Sequence, residues 1–147
     1  MNRRTFLELC ALFPALAVAT RSSGASAGTK LAVIVNAAND VGRLGPGDIE
    51  AFFTTRKLDF PSGKRVVAFN FPARHPIRDA FDRAALHLDP DEAARYWIDR
   101  RVRGGHPPPR QVPDVKTMVR VVASLEGALG YVRKEDVTDG VRVVAEI

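Results

Sequence analysis

The sequence predicts a small α/β domain built on a mixed sheet, and three observations predict it. Lys30–Asn36, KLAVIVN, is a continuous apolar run whose length and valine and isoleucine content suit a strand covered on both faces. Further on, apolar residues recur at spacings of three and four, the mark of helices with one buried face. Strand-like and helix-like segments then follow one another as strand, helix, strand, three helices and two strands, which argues for about four strands with helices packed against them.

The first strand is followed by AAND, which places Asn36 and Asn39 at a strand end, where α/β proteins put ligand-contacting loops. VGRLGPGD turns the chain. Pro46 suits the first turn of a helix, Asp48 adds charge at its positive end, and Ile49, Phe52 and Phe53 form one apolar face. After LDFPSGK, Arg65–Phe71 reads as the second strand, with Asn70 near its end and Pro72 halting it. Its parallel relation to the first strand is expected to bring the loops after Asn36 and Asn70 together.

The next helix has Ile77, Phe81, Ala84, Ala85 and Leu88 on its core face and Asp79, Asp82 and Arg83 on its wet face. In LDPDEAARYWIDR, Asp89 caps, Pro90 takes the first helical position and Glu92 completes a capping box. Ala94, Trp97 and Ile98 are expected to face inward. Gly104, Gly105 and Pro107 to Pro109 then break regular structure. Asp114 opens a helix with Val115, Met118, Val119 and Val122 inward, and GALGYV and VRVVAEI supply the closing strands.

The N-terminal residues, MNRRTFLELCALFPALAVAT, read as an export signal rather than as part of the fold: Arg3 and Arg4 precede an apolar run too short to span a membrane, and small residues follow. Arg3–Leu7 also resembles a twin-arginine signal. Cleavage after Ala27 is expected, leaving residues 28–147 as a single periplasmic domain. Cys10, the only cysteine, leaves with the signal, so disulfide and thiol chemistry are not expected. Without Arg3, Arg4, Arg21 and Glu8, 19 basic and 16 acidic residues remain, a surplus too small and too scattered to argue for nucleic acid.

No enzyme, cofactor or metal site is expected. His75, His87 and His106 are dispersed, Ser62 and Ser124 lack a nucleophile-elbow context, and no acidic pair stands out as acid and base. The candidate ligand group gathers around FNFPARHPIRDAF: Arg74 and Arg78 as guanidinium forks, His75 as a donor, Asn70 as an orienting group, with Asn36 and Asn39 from the first loop. Arg101, Arg103 and Arg110 around GGHPPP form a stiff basic rim, a candidate contact for an acidic periplasmic or membrane protein partner.

Taken in order, LAVIVNAAN, LGPGDIEAFF, KRVVAFNFPARHPIRDAF, YWIDRRVRGGHPPP and GALGYV resemble the phosphate ABC transporter substrate-binding family, and more narrowly its short single-lobe relatives in the type 2 periplasmic binding protein superfamily. The resemblance implies a single α/β lobe, a periplasmic location, and binding of phosphate or another small anion. It also places Phe71 at the family's arginine, Arg74 at the first glycine of its Gly-Ser-Gly-Thr-like loop, His75 at the serine, Pro76 at the second glycine and Ile77 at the threonine. An aromatic ring cannot neutralise phosphate, proline has no amide proton and isoleucine no hydroxyl. The alternative is therefore a non-transport interaction or structural protein that keeps one lobe and has lost the ligand site.

Overall fold

The computed structural model describes residues 28–147; the expected export signal, residues 1–27, lies outside the described residues. Five strands form one mixed sheet in the order β3-β2-β4-β1-β5, with β1 at Leu31–Asn36, β2 at Val67–Asn70, β3 at Arg110–Gln111, β4 at Ala128–Arg133 and β5 at Val141–Glu146. The fold is a single α/β lobe, a mixed sheet flanked by helices. The strand beyond the four expected is β3, two residues of the proline-rich stretch that pair in parallel with the end of β2.

β1 runs antiparallel to both of its neighbours, whereas β2 runs parallel to β4. The C-terminal ends of β1 and β2 therefore point in opposite directions, with β4 between them. The expectation that the loops after Asn36 and Asn70 would lie side by side is wrong for this reason: chain reversal, invisible in a local apolar run, sets which end of a strand is which.

Helices cover both faces. α1 (Pro46–Phe53) and α2 (Pro76–Phe81) pack on one, where Tyr131 of β4 meets Phe53 edge-on and Phe81 in a stack at 3.8 Å. On the other lies α4 (Val115–Ser124), which approaches so closely over Gly130 that a Cβ there would stand 2.6 Å from the Met118 sulfur. Alternation along β4 sends Gly130 and Tyr131 to opposite faces, and all six residues of β1 are buried between the layers.

Two helical faces differ from expectation. α2 runs on into a π-helical turn, Asp82–Leu86, closed by His87 in the left-handed region at φ 55°. The wider turn rotates the core face, so that Leu86 is buried, Ala84 is exposed, and Asp82, expected to be wet, is only 3% exposed. α3 (Pro90–Val102) carries the expected capping box, but Ala93, Tyr96 and Arg100 face inward. Its Ile98 and Val102 are 65% and 81% exposed. Tyr96 decides this rotation, donating its hydroxyl proton to the Thr54 carbonyl at 3.1 Å.

Candidate functional site

The turn from β2 into α2 holds four of the six candidate ligand residues. Asn70, the last residue of β2, accepts hydrogen bonds at Oδ1 from the Phe71 amide, at 2.9 Å, and from the Tyr131 hydroxyl. Burial pushes the Tyr131 phenol up, with the neighbouring Asp82 carboxylate adding to it, so the group is a permanent donor to Asn70. Asn70 is thereby fixed from below.

Phe71 is fully buried and stacks on the His75 ring at 4.4 Å, with 13° between the planes. His75 caps α2: its Nδ1 accepts from the Ile77 amide at 3.3 Å. An accepting Nδ1 leaves the neutral ring's proton on Nε2, its one remaining donor. Arg74 takes the left-handed backbone conformation, φ 68°, and its exposed guanidinium reaches Asp91 at the start of α3, 2.5 Å away.

Arg78 is the buried cation of the group. Its Nη1 donates to the Phe71 carbonyl at 3.0 Å, and its Nε faces Asp82 Oδ2 one helical turn on, at 3.4 Å. Burial raises the Asp82 carboxyl above its ordinary value, and the Arg78 charge offsets part of the rise. Arg74 and Arg78 line one small cleft of about 80 Å³ together with Asp79 and Asp82. That is room for two or three waters, at roughly 30 Å³ each. Two guanidinium groups facing two carboxyls make the cleft nearly neutral, so an anion entering it competes with Asp82 for Arg78.

Asn36 and Asn39 stand elsewhere. Asn36 Nδ2 donates to the Val122 and Ala123 carbonyls, closing the last turn of α4, while its Oδ1 accepts from the Ala38 amide. Asn39 donates to the Glu126 carbonyl and accepts from the Val41 amide. Arg142 of β5 completes this corner by donating to the carbonyls of Asn39 and Val41. The asparagine hydrogen bonds are spent on loop geometry, and neither residue joins the cleft of Arg74 and Arg78.

The three rim arginines also separate. Arg101 borders a shallow recess with Trp97 and Pro107, Arg103, just past the end of α3, pairs with the exposed Asp99 at 2.9 Å, and Arg110 sits on β3. Asp82 is the site residue that sequence reasoning missed. Its spacing of four from Arg78 was the available signal, since i and i+4 share a helix face. Among the described residues no group of three His, Cys, Asp or Glu is placed to hold a metal ion, and no helix is long and apolar enough to cross a membrane.

No protein-family model matches the chain, and no curated protein matches it in sequence. Solved structures match it in fold. An ABC-type phosphate transport receptor from Vibrio cholerae is similar over 78% of this chain at 16% identity, with a TM-score of 0.61. A candidate phosphate ABC transporter substrate-binding protein from Clostridium perfringens, solved with bound phosphate, is similar over 78% at 19% identity and TM-score 0.63. PstS from Borrelia burgdorferi is similar over 78% at 10% identity and TM-score 0.60. The matched region is 44%, 43% and 46% of those chains respectively, so this protein spans less than half the length of each. The likeness is one of fold.

Proposed function

We propose that the protein works outside the cytoplasm, after removal of residues 1–27, as a solute-binding lobe that holds a small anion, phosphate foremost, at the β2–α2 turn. Arg74 and Arg78 supply charge and His75 Nε2 supplies a further donor, with Asn70 holding the turn in place. The observation that carries this reading is the convergence of Arg74 and Arg78 on one cleft, in a fold shared with phosphate receptors. A single lobe leaves such a cleft open on one side, so tight binding would need a second lobe or a membrane transporter partner to cover it.

Titration calorimetry of the purified protein with inorganic phosphate tests the reading. Heat at millimolar phosphate that is lost in Arg74→Ala and Arg78→Ala supports it. No heat from the unsubstituted protein, or heat that survives both substitutions, contradicts it.

A second reading has its own observation. Arg74 and Arg78 already face carboxylates, whereas Ile98 and Val102 stand exposed beside the half-buried Trp97. An interaction protein that has kept the lobe without the ligand fits that surface, with Arg101 and Arg103 beside it meeting an acidic partner. Such a protein would give no phosphate heat.

A further inference from the structure

A second cleft, of about 330 Å³, opens on the other side of β2 from the β4 strand, between the end of α1 and the proline arch. Its position follows from the sheet register. β3 pairs only with Phe69 and Asn70, so the first half of β2, Val67 and Ala68, keeps an open outer edge and stays half-buried. Phe52 and Leu58 continue this apolar floor, and Pro107 to Pro109 wall it with a stretch whose extended course is set by its rings.

The rim is basic. Lys57, Arg65, His106 and Arg110 line the cleft, and among the described residues no Asp or Glu does. Lys57 is tied to Asp48 at 3.0 Å and lies over the Phe52 ring, and Arg65 lies loosely by Asp59 at 3.7 Å. Among the described residues Arg110 and His106 have no carboxylate within ion-pair distance. An apolar floor of this size selects for an apolar body, and a rim with surplus positive charge selects for a single negative head.

We propose that this cleft binds a small amphipathic anion, an apolar body carrying one carboxylate or phosphate group, with Arg110 and Arg65 holding the head and Val67 and Ala68 the body. The site is distinct from the β2–α2 turn and does not depend on phosphate binding there.

The test is an amide-resolved NMR titration of the purified protein with octanoate, beside octylamine and 1-octanol as cationic and neutral counterparts. Octanoate should shift Val66, Val67, Ala68 and Arg110. Octylamine should shift none of them, and octanol should bind at least tenfold more weakly. Arg65→Gln with Arg110→Gln, both exposed and therefore safe for folding, should weaken octanoate at least tenfold, as should half-molar sodium chloride. Absence of shifts, equal binding of the three probes, or unchanged affinity in the double variant overturns the proposal. Shifts confined to the separate apolar cleft beside Leu44 and Ala145 overturn it as well.

Discussion

Asp82 sits where its charge costs free energy, and this gives the site a pH dependence with a definite sign. Its carboxyl is raised by burial beyond what Arg78 restores, so between the unfolded and folded values the folded state binds more protons. Stability due to Asp82 falls as pH rises through that window, and the cost is complete above it. The helix caps Asp89 and Asp114 behave oppositely. Amide hydrogen bonds hold both carboxyls below their ordinary value, so their contribution is present above it and is lost on acidification through the folded value. Urea unfolding from pH 3 to 8 should therefore show the unsubstituted protein losing stability relative to Asp82→Asn as pH rises, while it gains relative to Asp114→Ala. A flat Asp82→Asn difference would contradict the buried carboxyl. Sulfate, which keeps its charge over this range, should bind the Asp82→Asn variant more tightly than the parent at pH 7, because Arg78 is then released from a competing carboxylate. Tyr131→Phe should cost about 0.5–1.5 kcal/mol, one net hydrogen bond to Asn70, read from the denaturant midpoint at constant slope. Much of this chemistry was hidden in the residue string. Arg78 and Asp82 stand at helical spacing, but only the folded structure shows that both are turned toward the core.

At the scale of elements, local chemistry was legible and rotation about the helix axis was not. The capping box of α3 follows from Asp89, Pro90 and Glu92 alone, since cap and partner lie within one turn. Which face of α3 is inward depends on Thr54 and Thr55, more than forty residues away, where Tyr96 and Arg100 find their partners. Glycines test how closely the elements meet. A methyl at Gly127 would run into the Arg65 carbonyl oxygen, which is backbone and cannot turn aside. At Gly130 the first atom met is the Met118 sulfur, near the end of a side chain that can turn aside. Gly127→Ala should thus destabilise by about 1–3 kcal/mol. Gly130→Ala should destabilise less, and thermal unfolding of the two variants would expose a reversed order.

For the whole molecule, strand direction governs function. Apolar runs identified β1, β2, β4 and β5, and the resemblance pointed to one lobe, yet neither showed that β1 runs against β2. That reversal divides the polar residues. Asn36, Asn39 and Arg142 fasten the corner where β1 ends and β5 begins, while Asn70, Arg74, His75 and Arg78 remain at the β2–α2 turn. Both proposed sites flank β2, the strand that β3 only half covers, and both require that the lobe hold its shape without a second one. Hydrogen exchange on residues 28–147 alone tests this requirement most directly. The account predicts a single cooperative unfolding transition, with the slowest exchange at the hydrogen-bonded amides of β1 and β4, whose residues are almost all buried. A chain that unfolds gradually, or that protects α3 more strongly than these two central strands, would contradict it.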